Sequence, residues 1–298
     1  MSNSTSTPAS GGPSVAPLSS SHDSSNHGWS TPQHGIIAAH SRAAEVRAAG
    51  SDYLEQTVVG SLLVEDENAA DGAGPGGAWR AASELAPLPP APSFAILCPA
   101  SVQVSDPSVP LSVTEEYLRA AFAAIAPWAR PGATVVLGSG ASRRIPEGVG
   151  RAEGEQRFAA SARTARDLAA AHGLEVLLEP LHRGETDLVN TLEEAVAFLD
   201  AHDLSDVRVV ADLFHVMLEG ESFETVHRLA PRVGHIHVAD TDRRPPGQGD
   251  WPLAEFLTAL RDGGCAGHVS IECFTWEDIA VEGRPALGAV RAADPAAV

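Results

Sequence analysis

Short, unbroken apolar runs recur along this chain, each followed by a longer stretch rich in Ala, Leu, Glu and Arg. The runs fall at residues 35–39, 52–59, 93–98, 133–137, 175–179, 207–212, 234–238 and 268–273. A strand buried on both faces reads as a continuous apolar run, whereas a strand with one wet face alternates. The intervening stretches carry helix signals. Residues 153–172 place Phe158, Ala162, Ala165 and Leu168/Ala169 on one stripe, with Gly173 as the stop. Thr191-x-x-Glu194 is a capping box that opens a helix through Leu199. Asp250 is expected to cap another, with Pro252 in its first turn and Gly263 past its end. Eight strand–helix units over about 260 residues predict an α/β fold, a single (β/α)₈ TIM barrel.

The barrel is expected over residues 34–285. Ahead of it, residues 1–33 read as a disordered tail. The first 30 residues hold 11 serines among Pro, Gly, Asn and Thr, with neither the basic start nor the apolar run of a signal peptide. Residues 286–298 are expected to form a C-terminal helix or a loose tail. Between residues 60 and 92, a Gly-rich stretch (70–77) and a Pro-rich run (87–92) frame what reads as a short helical piece, so the second helix is expected to be reduced or replaced by loop.

Composition excludes several functions. The 39 acidic residues outnumber the 20 basic ones, for a formal charge of −19, which disfavours nucleic acid or an anionic membrane as partner. No run of 18 apolar residues occurs, so no membrane span is expected. All the basic residues are arginines, and without lysine neither Schiff-base chemistry nor a Walker P-loop is available. Cys98, Cys265 and Cys273 form no zinc or disulfide pattern and suggest a reducing compartment, hence a cytoplasmic protein.

The later apolar runs each end in an ionisable residue: Glu179, Asp212 (with His215 three residues on), His237 and Glu272. His235 and His237 share one side of their strand by the period of two. In a barrel the C-terminal strand ends share one mouth, where active sites sit. Three carboxylates meeting there would repel one another, and a divalent cation resolves the repulsion. Three oxygen donors and one imidazole suit Mn²⁺, Mg²⁺ or Co²⁺ better than structural zinc.

These motifs resemble the xylose-isomerase-like barrel family of sugar isomerases and epimerases, with the D-tagatose/D-psicose 3-epimerase type as the nearest pattern. The resemblance runs from about Ala133 to Phe274. It rests on Gly138-Ser-Gly140, Glu179-Pro-Leu-His-Arg-Gly-Glu185, Asp212-Leu-Phe-His215, His235-Ile-His237, Arg243-Arg-Pro-Pro-Gly-Gln-Gly249 and Ile271-Glu272. It implies one divalent metal ion, Mn²⁺ in first place, on Glu179, Asp212, His237 and Glu272. It implies that Glu179 and Glu272 also serve as acid and base in C3 epimerisation of a free ketose through a metal-stabilised cis-enediolate. It further implies that Glu185, His215 and Arg243 bind the substrate's O1/O2 end. The same scaffold carries alternatives: an aldose–ketose isomerase of hydroxypyruvate type, a keto-inositol dehydratase, a carbon–glycosyl lyase, or a non-catalytic sugar-binding subunit. A small sugar or polyol-ketone is the expected partner, and a homodimer or homotetramer is compatible with such a barrel.

Other polar residues have plainer readings. His235 is expected to support the site or pack beside it, His182 and Arg183 to be loop residues, and Trp251 and Trp276 to be rim or packing aromatics. Glu55 and Cys98 are read as lining the mouth, as buried packing or as solvent-facing positions. Arg143/Arg144 form the one arginine pair that would suit a phosphate or carboxylate ligand, while Asp240 and Asp242 disfavour a phosphorylated sugar.

Overall fold

The computed structural model describes residues 1–2, 31–66 and 78–297. Most of the expected N-terminal tail, and the Gly-rich stretch at 70–77, lie outside the described residues. Among the described residues ten strands follow in chain order: β1 (His34–Ala38), β2 (Tyr53–Thr57), β3 (Leu63–Glu65), β4 (Trp79–Ala81), β5 (Ala91–Ala95), β6 (Ala129–Leu137), β7 (Glu175–Leu178), β8 (Arg208–Asp212), β9 (Val233–Val238) and β10 (Val269–Ile271). Eight of them close a parallel barrel in the order β1-β10-β9-β8-β7-β6-β5-β2. This is the (β/α)₈ fold, and each barrel strand coincides with one of the apolar runs to within a few residues. Both faces of these strands are covered, so β1 and β9 are buried along their whole length.

The helices are α1 (Ala43–Ala49), α2 (Leu111–Ile125), α3 (Arg151–Ala170), α4 (Leu192–Ala201), α5 (Leu213–Glu219), α6 (Phe223–Leu229), α7 (Leu253–Asp262) and α8 (Ile279–Ala293). No helix among the described residues is long and apolar enough to cross a membrane. Thr191 caps α4 by accepting from Glu194 N at 3.1 Å. The Glu194 carboxylate reaches back to Asn190 N at 2.8 Å, one residue beyond the reciprocal capping-box partner, the N–H of Thr191.

Two local expectations are corrected. The piece read as helical between the Gly-rich and Pro-rich stretches is strand β4, paired antiparallel with β3 from Leu63↔Ala81 to Glu65↔Trp79. Leu62 and Leu63 are buried and the Trp79 ring stands edge-on to Tyr117 of α2, 5.3 Å between centroids. The hairpin thus covers ground that a second helix covers elsewhere, and glycines and prolines on both sides oppose helix propagation. Asp250 does not cap α7. Pro252 is the N-cap residue, without a side-chain cap, and Asp250 Oδ1 instead accepts from Thr241 Oγ1 at 2.9 Å.

The barrel is tied shut where its two ends meet. Asp294, just past α8 and fully buried, accepts two hydrogen bonds from Arg261 of α7 at 2.8 and 2.9 Å and lies 3.0 Å from His34 Nε2 of β1. Burial alone would raise the Asp294 carboxyl; the hydrogen bonds from Arg261 and His34 outweigh it and hold it well below the usual carboxylate range. The ionised form is therefore the folded form. The stability it contributes is complete above the unfolded carboxylate's pKa of about 3.9 and is lost as pH falls toward the lower folded value. Asp294→Ala strands a buried arginine, and urea unfolding at neutral pH should show a loss of about 3 kcal/mol. The difference between variant and parent should shrink as the pH is taken below about 4.

Candidate metal centre and active site

Four neighbouring strand ends meet at the C-terminal mouth of the barrel. Asp212 closes β8 and pairs in register with His237 of β9. Ser270 of β10 pairs with His237 from the other side, and Glu272, two residues further toward the mouth, donates its N–H to Val238 O at 2.9 Å. Glu179 follows β7 directly, and its N–H still bonds Leu137 O of β6 at 3.2 Å. Glu179, Asp212, His237 and Glu272 are all buried, and one donor atom from each lies within 4.8 Å of the others. His237 Nδ1 stands 3.0 Å from Glu179 Oε1 and 3.2 Å from Glu272 Oε2. The four residues singled out at the strand ends are thus brought to one point.

Room for the carboxylates is built into the backbone. A side chain at Gly138 would collide with Glu179 Oε2, and a Cβ at Gly140 would come within 3.2 Å of Glu185 Oε2. This gives the Gly-Ser-Gly turn after β6 a steric reason.

Burial and the neighbouring Glu272 push the Glu179 carboxyl up. Burial also pushes Glu272 up, but Arg243 and His237 overcome it and hold that carboxyl far below its usual range. Burial raises Asp212 despite Arg243 beside it. Burial disfavours a charged His237, yet the carboxylates of Glu55 and Glu272 raise it well above the usual histidine range.

Asp212 Oδ2 makes no hydrogen bond, although Arg243 Nη1 lies 2.8 Å away. Its other oxygen caps α5 by accepting from Phe214 N at 2.9 Å. Three oxygen donors and an imidazole, one oxygen left without a hydrogen bond and aimed into the cluster, fit a divalent cation with positions spare for substrate.

Of the other expected site residues, His215 lies in the first turn of α5, which Asp212 caps, and so faces back into the mouth. Arg243 sits in the loop after β9. Asp240 organises that loop by accepting backbone hydrogen bonds from Thr241, Gly247, Gly249 and Trp251 between 2.9 and 3.2 Å. Its charge is taken up there rather than facing a ligand. Arg243 adopts φ +57°, a left-handed conformation that costs a non-glycine residue energy. Its Nη1 contacts Asp212 and, at 2.9 Å, Glu272, while Nη2 lies 3.1 Å from His215 Nε2 and Cζ lies 4.1 Å from the Phe214 ring centre. Burial, then Arg243, drive the His215 pKa down to about 2, so the ring is neutral.

A cavity of about 220 Å³ opens over the cluster. Glu185, His215 and Arg243 line it together with Ile96, Cys98 and Phe274. Trp251 and Trp276 pack against the core instead of lining this cavity. Arg143 and Arg144 do not form an anion site. Arg143 is fully buried with Nη1 on Glu179 O at 2.9 Å, whereas Arg144 is exposed and bonds Gly184 O.

Glu55 is the residue whose importance the sequence conveyed least. It is completely buried inside the barrel, its Oε2 2.8 Å from His235 Nε2 and its Oε1 3.4 Å from His237 Nε2. Ser93 Oγ donates to Oε1 at 2.8 Å. A carboxylate behind an imidazole fixes which ring nitrogen faces forward, here Nδ1. A lone Glu within an apolar strand was the available signal. Glu55→Gln should weaken Mn²⁺ binding roughly 10- to 100-fold in isothermal titration, at unchanged stoichiometry.

Residues 44–289 match the family described as the xylose isomerase-like TIM barrel. The chain is 37% identical over 109 residues to a D-psicose 3-epimerase of Agrobacterium fabrum, covering 36% of this chain and 38% of that protein. It is 31% identical over 137 residues to a 3-dehydro-D-guloside 4-epimerase of Escherichia coli, covering 46% and 47%. These sequence matches thus span less than half the length of either relative. Over nearly its whole described length the fold follows a D-psicose 3-epimerase crystallised in the presence of D-fructose, with TM-score 0.67 and 20% identity over 88% of this chain and 99% of that one. By this family match and the closed eight-stranded barrel, the chain belongs to the xylose isomerase-like TIM barrel family.

Proposed function

We propose that this barrel is a divalent-metal-dependent sugar epimerase that inverts the carbon next to the carbonyl of a free ketose, C3 of a 2-ketose. The observation that carries the reading is the pair Glu179 and Glu272, on separate strands and each within 3.2 Å of the same imidazole nitrogen. Inversion by proton exchange needs one group to take a proton from one face of a carbon and another to return a proton to the opposite face. Two carboxylates reaching the cavity floor from β7 and β10 supply such a pair. Their environments push them in opposite directions, Glu179 up and Glu272 down, as unlike proton-transfer roles require.

Glu179, Asp212, His237 and Glu272 would hold the ion. Bound there, a divalent ion supplies Lewis acidity that makes a C–H beside a ketone more acidic. The chain's own residues do the rest. Removal of the C3 proton leaves an enediolate, and Arg243 with neutral His215 offers hydrogen-bond donors to the oxygen on which negative charge grows. Glu185, at the cavity rim, accepts from a sugar hydroxyl. The apolar wall of Ile96, Leu181 and Phe274 limits water around the reacting carbon. The ketose 3-epimerases among the relatives support this choice of substrate class.

A second reading has its own support. The match to the 3-dehydro-D-guloside 4-epimerase is the longer of the two sequence matches above, and removal of a proton beside a ring ketone makes the same demands on the two glutamates.

The test is NMR in D₂O with D-fructose, D-tagatose, D-psicose, hydroxypyruvate and a 3-keto glucoside, with Mn²⁺ or with EDTA. The expected result is Mn²⁺-dependent deuterium at C3 together with the C3 epimer. Glu179→Gln and Glu272→Gln should each slow exchange by at least roughly 100-fold. Exchange at C4 of the keto glucoside would select the second reading. Exchange at C1 without epimer would select a 1,2-isomerase. Absence of exchange from every sugar, in protein that holds its metal, would remove the enzyme reading for this substrate class.

A further inference from the structure

His215 has a donor aimed at each of its ring nitrogens. The backbone N–H of His182 reaches Nδ1 at 3.1 Å, and Arg243 Nη2 reaches Nε2 at 3.1 Å. Neither donor can act as an acceptor, and a neutral imidazole accepts at one nitrogen only. One of the two must prevail. Around Nδ1 there is a further group: His182 Nδ1 lies 3.0 Å away, with the two rings stacked at 24° and 5.2 Å. The placement of His182 is built into its surroundings. Phe214 stands edge-on to its ring at 5.5 Å, and a Cβ at Gly184 would come within 2.7 Å of His182 Nε2. The loop itself is pinned to α5 through Arg183, whose N–H bonds Glu219 at 2.7 Å and whose guanidinium pairs with the same carboxylate.

We propose that His182 is a positioning residue that commits His215 to the tautomer with its proton on Nε2, turning it into a hydrogen-bond donor toward the substrate. With the backbone N–H of His182 on Nδ1, and the His182 ring proposed to donate from its own Nδ1, the His215 Nε2–H and the Arg243 Nη2–H converge, and Asp212 Oδ2, 3.6 Å from Nε2, lies beyond hydrogen-bond reach. An oxygen acquiring negative charge satisfies both. The oxygen left by proton removal next to a ketone is such a group. The role in catalysis rests on the epimerase reading; the tautomer does not.

Two measurements separate these. The first uses the full chain without sugar, ¹⁵N-labelled at histidine, with the His215 resonances identified by their loss in His215→Asn. Long-range proton–nitrogen spectra are expected to show the proton on Nε2 and a bare Nδ1. In His182→Ala the backbone N–H alone opposes Arg243, and the signals should move toward a tautomer mixture. His182→Asn carries an amide N–H near the place of the imidazole Nδ1 and should restore the parent pattern. The second measurement is steady-state kinetics on whichever sugar exchanges. His182→Ala should lower kcat about tenfold with KM little changed, and His182→Asn should recover most of it. A proton on Nδ1 in the parent, or an unchanged tautomer in His182→Ala, overturns the inference. The expected tautomer with no sugar turned over would overturn the function and leave the positioning of His215 standing.

Discussion

Three buried carboxylates within reach of one imidazole cannot all remain ionised without positive charge among them. Much of this structure supplies or prepares for that charge. Arg243 reaches two of the carboxylates from a loop held in a costly backbone conformation. His237 sits between Glu179 and Glu272 on one side and Glu55 on the other. Under the proposed function, a divalent cation held by Glu179, Asp212, His237 and Glu272 would complete the balance. Under the proposed function the same repulsion would make the cluster useful, because carboxylates kept apart by environment can exchange protons with one carbon in opposite directions.

The barrel turns sequence-distant residues into neighbours by register alone. Asp212 and His237 are paired across β8 and β9, and β10 brings Glu272 beside them. The interior then supports the mouth. Thr134 Oγ1 donates to Ser93 Oγ at 2.9 Å, Ser93 to Glu55, and Glu55 faces both histidines of β9, so a polar chain links four strands beneath the cluster. A half-satisfied chain of this kind would be costly in the core; here each member has a partner.

Much of this was legible from residue order. The strands announce themselves as apolar runs because both their faces are buried, and the ionisable residues at their ends stand out against those runs. What was hidden depended on contacts that no local pattern encodes. Glu55 is one acid in an apolar strand, and its partners lie 180 and 182 positions away on β9. His182 reads as a loop histidine until α5 is folded back against it. The β3–β4 hairpin escaped notice because its strands are three residues each, too short for a period to show. Asp250 has the look of a cap, but Thr241 competes for its carboxylate and Pro252 takes the cap position.

The most direct test of the account is a crystal structure of the full chain grown with Mn²⁺, with anomalous scattering recorded at the manganese edge. The account predicts one strong anomalous peak bounded by Glu179, Asp212, His237 and Glu272, with Arg243 withdrawn from at least one of the carboxylates. A peak at His182, Glu185 and His215 instead, or no peak at the strand ends with Arg243 still paired to Asp212 and Glu272, would contradict it.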